Sequence, residues 1–336
     1  MALSSLPSAS GPVLSRLLQR YGVLLALALL VAFGALRYEN FLSPFNVYSV
    51  LAFNSMFGLI ALGMAFVIMT GGIDLSVGSV AAFASVIAAL LSPHGLLIAL
   101  VGAVLAAALL GLLNGLLIAY ARILPFIVTL ATLLGARGLA LLFARDQSVS
   151  VDYDGNFTAF GQGTLSLPLL GDVPYTALLL GAAFVIGAVL LNSTPFGRHV
   201  LAVGGGEDAA RLMGLRVERV KVLVYTLSGA LAGLAGVILA SQFGAGQPTE
   251  GLGWELTAIA AVVVGGTLLT GGRGSIGNTL VGVLLLGIIF NLLNFENGRG
   301  TISLNAYWQS VIRGAFLLIV VALQSRLTRG VPAARP

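Results

Sequence analysis

The chain has no cysteine, a single lysine (Lys221) and two histidines in 336 residues. Without thiols there is no disulfide, no thiol nucleophile and no cysteine-bound metal. One lysine and no GxxxxGK[ST] run exclude a P-loop, so the chain binds no ATP of its own by that route. His94 and His199 fall in expected loops on opposite sides of the apolar region and make no metal site. Neither a Ser-His-Asp constellation nor HExxH occurs, which leaves hydrolysis without machinery. Charge is the scarcest commodity. Only 9% of residues are charged, against the roughly 25% that covers a soluble domain. The solvent of this chain must be largely lipid.

What is present agrees. Hydrophobic residues make up 58% of the chain and glycine contributes 44 residues, with a mean hydropathy of +1.03. Such glycine content suits close helix packing in a bilayer. Apolar windows long enough to span occur at 18–36, 48–69, 75–92, 96–120, 124–144, 174–191, 221–242, 254–271, 276–294 and 306–324. The expected fold is therefore all-α and polytopic, with about ten transmembrane helices. The first apolar run lacks a small-x-small cleavage site after it and reads as an uncleaved membrane helix.

Orientation follows from the basic residues. With the N-terminus inside, the inner segments hold Arg16, Arg20, Arg122, Arg198, Arg211, Arg216, Arg219, Lys221, Arg273, Arg326, Arg329 and Arg335, while the outer ones hold only Arg37, Arg145 and Arg299. Both termini are thus expected in the cytoplasm, as a segment 1–17 and a tail 325–336 flanking a membrane domain over 18–324. The net charge of +5 is explained by these inner loops rather than by a nucleic-acid partner.

Two loops are long. The outer one, 145–173, carries four aspartates. The inner one, 192–220, contains "EDAARLM", where acidic residues favour a helix start and Gly214 can stop it. A short helix over 207–213 is expected there, in a position to contact another protein.

"TGGIDLSVGS" at 70–79 interrupts the apolar pattern, and its Thr70-Gly71-Gly72 recurs as Thr270-Gly271-Gly272. Paired glycine breaks of this kind accompany transporter pathways. Asp74 is expensive at membrane depth unless it caps a helix, faces a cavity or pairs with an arginine. All three readings are open on the sequence. Glu255 opens the eighth window near the outer face. Asn114 and Asn291 sit on helices, suited to hydrogen bonds between them or to a ligand.

The stretch "MTGGIDLSVGSVAAF" closely resembles bacterial sugar ABC-importer permeases of the ribose, arabinose, xylose and galactofuranose group. The similarity runs on through 109–142, 194–238 and 255–289, and the last part looks most like the galactofuranose type. This resemblance implies an inner-membrane subunit that moves a monosaccharide, a pentose or hexose, from periplasm to cytoplasm. It implies three partners: a second permease, identical or homologous, a cytoplasmic ATPase that carries the ATP, and a periplasmic sugar-binding protein. On that footing Gly205, Gly206, Glu207, Asp208, Ala209, Ala210, Arg211, Leu212, Met213 and Gly214 form the element coupled to the ATPase. Gly71, Gly72, Asp74, Ser76, Asn114, Gly271, Gly272 and Asn291 are the candidate pathway residues. No cofactor or metal is expected on this chain. The rival readings are an ABC permease for another small solute, an ion-coupled secondary transporter using Asp74, and a membrane scaffold.

Overall fold

The computed structural model describes residues 13–169 and 171–298, together with Trp308, Val311, Ile312, Gly314, Ala315 and Leu318. Most of the tenth expected span, most of the segment 1–17 and the tail 325–336 lie outside the described residues. In chain order the elements are α1 (Val13–Arg37), α2 (Pro44–Met69), α3 (Val77–Leu91), α4 (Leu96–Ala119), α5 (Pro125–Ala144), β1 (Val149–Ser150), α6 (Phe157–Gln162), β2 (Thr164–Leu167), β3 (Gly171–Pro174), α7 (Tyr175–Ser193), α8 (Pro195–Gly205), α9 (Glu207–Leu212), α10 (Val217–Phe243), β4 (Ala245–Gly246), α11 (Trp254–Val264) and α12 (Ile276–Gly298). Among the described residues, seven helices are long and apolar enough to cross a membrane.

Helix α2 is buried continuously from Asn54 to Met69, and α10 lies beside it. Small residues let α10 approach its neighbours at backbone distance. A Cβ placed at Gly229 would meet the carbonyl oxygen of Ala107 at 2.6 Å, and one at Gly236 that of Ala81 at 2.2 Å. The outer surface is apolar where lipid would wet it: Leu97, Val101, Leu105, Leu109 and Leu113 form an exposed row along α4.

Three departures from the sequence expectation have physical causes. The fold is helical as expected, but the 145–173 region also forms small antiparallel pairs, β1 with β4 and β2 with β3. The 192–220 loop holds two helices, because Thr194 accepts the amide of Gly197 and Pro195 occupies the first turn, a start signal for α8. The eighth window, 254–271, is not one span. Gly265 and Gly266, the latter at φ 84°, end α11 at Val264. Its 11 residues reach about 16 Å, half of a hydrocarbon layer of about 30 Å. The other half is Gly244–Gly253, a mostly non-helical segment that doubles back along α3. Gly246 lies against Ser85 to Ala89, and Gly251 against Gly78. Glu255, half-buried, consequently sits beside Gly78 near the start of α3.

Candidate functional site

Three glycine runs meet at one end of the bundle, called here the basic end. The amide of Gly272 donates to the carbonyl of Met69 at 3.0 Å. A Cβ at Gly204 would lie 1.8 Å from that same carbonyl oxygen and 2.5 Å from the Gly272 nitrogen. A Cβ at Gly271 would lie 2.8 Å from the Gly71 nitrogen. Gly71, Gly271 and Gly272 all take positive φ, the left-handed region that glycine enters without strain. The echoed Thr-Gly-Gly motifs are therefore in direct contact with each other and with the run Gly204–Gly206.

That run leads straight into α9. Ala210 donates to the carbonyl of Gly206 at 2.9 Å, and the helix ends at Met213 and Gly214, the latter at φ 81°. Ala210 is buried, while Ala209 is exposed and Leu212 and Met213 stand out at 90% and 69% exposure. On its other side α9 is tied to α10. Glu207 accepts from Lys221 at 2.6 Å and from Arg211 at 3.0 Å, and Arg211 also pairs with Glu218. Burial alone would raise the Glu207 pKa, but the hydrogen bonds and charges of Lys221 and Arg211 outweigh it and hold the carboxyl below its ordinary value. A cavity of about 540 Å³ opens between this cluster and the first glycine break, lined by Gly71, Gly72, Arg122, Glu207, Asp208, Arg211, Lys221 and Tyr225 among others.

Asp74 lies deeper. It is 1% exposed and is not among the residues lining that cavity. Its Oδ1 accepts the amide of Ser76 at 3.0 Å and the Ser76 hydroxyl at 2.6 Å; its Oδ2 accepts the Ser228 hydroxyl at 2.8 Å. Among the described residues no cation pairs with it. The Ser76 hydroxyl in turn accepts from Asn114 Nδ2 at 3.1 Å, and Asn114 Oδ1 accepts from Thr132 at 2.5 Å. One polar chain thus joins the start of α3 to α4, α5 and α10.

Asn291 is elsewhere. It exchanges two amide hydrogen bonds with Asn46, at 2.8 and 3.1 Å, linking α12 to α2. The predicted pathway residues therefore form three groups: the glycine junction, the Asp74 network with Ser76 and Asn114, and the separate Asn291 pair. Sequence reading missed Ser228, Thr132, Tyr225 and Asn46. A hydroxyl or amide in an apolar helix gives no periodic signal, and Gly72 was the one hint of Tyr225, whose hydroxyl fills the space a Cβ would take at 2.4 Å.

The family model described as "Branched-chain amino acid transport system / permease component" matches residues 46–321. The chain belongs to this permease family. Among its relatives, the permease is 42% identical over 317 residues to the ribose import permease protein RbsC of Bacillus subtilis (strain 168), covering 92% of this chain and 94% of that one. It is 36% identical to the ribose import permease protein RbsC of Escherichia coli (strain K12), over 90% and 92% of the two chains. It is 38% identical to the L-arabinose ABC transporter permease protein AraH of Azospirillum brasilense, over 91% and 87%. No solved structure matches significantly. The resemblance to sugar ABC-importer permeases thus holds at family level, and the chain is a permease component of such an importer.

Proposed function

We propose that this permease carries a monosaccharide inward across the bacterial inner membrane, driven by ATP hydrolysis on a partner ATPase. The observation that carries this reading is the junction at Gly204–Gly206, where an exposed helix, α9, is joined by backbone contact to the two glycine breaks of the bundle. A force applied to α9 reaches Met69, Gly71 and Gly272 without passing through flexible side chains. The basic end, with Arg122, Arg198, Arg211, Arg216, Arg219, Lys221 and Arg273, faces the cytoplasm. Both termini then lie there too. The ATPase docks on α9 through Leu212 and Met213, a second permease completes the pathway, and a periplasmic sugar-binding protein delivers cargo at the opposite end.

The names of the relatives make ribose and L-arabinose the first cargo candidates, with galactofuranose behind them. Gly71 and Gly72 line the cavity at the cytoplasmic end of the path, while Gly271 and Gly272, whose amides are bonded to Leu268 and Met69, hold the junction behind it. The family description favours a second reading, import of an amino acid or another small solute by the same mechanism. Co-purification of the permease with the ATPase, followed by ATP hydrolysis assays with loaded binding protein, tests the proposal. Stimulation by sugar-loaded protein is expected; a permease that neither binds the ATPase nor alters its rate contradicts it.

A further inference from the structure

A second cavity, of about 320 Å³, lies between α2, α10, α11 and α12, toward the end opposite α9. Its walls combine aromatic rings with neutral and acidic hydrogen-bonding groups. Phe53 and Phe57 come from α2 and Trp254 from α11, with the Phe57 and Trp254 ring centroids 4.8 Å apart. Gln247 and Glu250 come from the doubled-back segment, and Asn294 from α12. We propose that this cavity is a carbohydrate waypoint on the import path, holding one neutral monosaccharide against Trp254 and Phe57 with its hydroxyls on Gln247, Glu250 and Asn294. The proposal rests on the sugar-importer reading above.

The chemistry fits that class of ligand. The C–H faces of a sugar ring carry slight positive charge and suit the negative face of an aromatic ring. Its hydroxyls both donate and accept, as a Gln or Asn amide does, while a carboxylate accepts. The volume is at the small end of ligand sites, about 300–1,000 Å³, which admits one monosaccharide and excludes oligosaccharides. No lysine or arginine lines the cavity among the described residues, so the carboxylate of an amino acid finds no cationic partner. The non-helical segment explains why polar groups are available here: irregular backbone at this depth is tolerated where it lines a cavity. Arg137 supports that segment by donating to the carbonyls of Pro248 and Glu250.

The cavity also has an approach. A wider space of about 720 Å³ lies beside the β2–β3 hairpin, lined by Tyr48, Gln162, Asp172 and Gln242 among others, and Phe53 lines both spaces. Phe53, 46% exposed, is the wall between mouth and waypoint.

The test uses the absence of native cysteine. The single-cysteine variant Phe243→Cys, at a lining residue given no sugar contact, is reacted in the reconstituted importer with a membrane-impermeant maleimide from the binding-protein side. D-ribose or L-arabinose at ten times its apparent Kd should slow labelling about tenfold, by simple occupancy, while L-leucine leaves it unchanged. Transport by Trp254→Ala and Asn294→Ala should fall about tenfold or more, and Trp254→Phe, which keeps a ring, should recover most of it. If Trp254→Ala does not reach the membrane, Trp254→Phe against Trp254→Leu carries the same comparison. Transport of a sugar with no protection at Phe243→Cys and wild-type rates in the variants overturns the waypoint but leaves the sugar importer standing. Uptake of L-leucine with no sugar uptake overturns both.

Discussion

Gly272 donates its amide to the carbonyl of Met69, the last residue of α2, at 3.0 Å, and Gly204 presses on the same oxygen. Two chain breaks and the approach to α9 therefore meet at one carbonyl oxygen. This contact converts a sequence echo into a mechanical joint.

Gly204→Ala is expected to force the joint apart, with a loss of about 1–3 kcal/mol of stability and of the stimulation of ATP hydrolysis by sugar-loaded binding protein. Gly205→Ala is the internal control, since a Cβ there meets nothing within 4 Å. It should melt at or slightly above the wild-type temperature and retain stimulation. Equal effects of the two substitutions would dismiss the joint.

Asp74 is held by three hydrogen bonds in the interior. Asp74→Ala strands the donors of Ser76 and Ser228 and should cost about 1–3 kcal/mol, read as a lowered melting temperature. Asp74→Asn keeps an acceptor and should retain most transport. A stable Asp74→Asn protein that no longer transports would restore the ion-coupling reading of this carboxylate.

On α9, Ala209→Glu and Leu212→Glu place charge on the exposed face. Each should weaken stimulation of the ATPase about tenfold, the effect of altering a docking anchor, with an unchanged melting temperature. Ala210→Glu differs: Ala210 is fully buried, so this variant should lose stability as well as coupling. An ATPase still fully stimulated by the Leu212→Glu permease would remove α9 from the interface.

The docking of α9 on α10 should depend on pH in one direction only. Glu207 has a folded pKa below its ordinary 4.5 because Lys221 and Arg211 outweigh its burial. Its contribution is therefore complete above 4.5 and lost as pH falls through the lower folded value. A fluorophore on Met213→Cys should report an unchanged environment between about pH 5 and pH 8, then loosening in stronger acid. A transition near pH 6.5 would point to another titrating group.

Much of this architecture was legible in the sequence, because lipid demands long apolar runs and these are easy to see. Windows such as 96–120 and 124–144 correspond closely to α4 and α5. The Gly-stopped helix before Gly214 was equally visible. The half-length α11 was not: "AIAAVVVGGTLLTGG" stays apolar across the break at Gly265, so hydropathy runs on where the backbone turns. The Asp74 network was half legible. Asp74, Ser76 and Asn114 stand out by polarity, but Ser228 and Thr132 reach them only through the folding of α10 and α5 against α3. The waypoint residues were hidden for the same reason, since four separate elements bring Phe57, Trp254, Gln247 and Asn294 together.

The central claim is that this chain moves sugar only when α9 is driven by a partner ATPase. Uptake of radiolabelled D-ribose or L-arabinose into proteoliposomes, with loaded binding protein outside, tests it most directly. Accumulation is expected only with the ATPase present and ATP enclosed, and no uptake under a proton or sodium gradient alone. Gradient-driven uptake by the permease without ATPase or ATP would contradict the account.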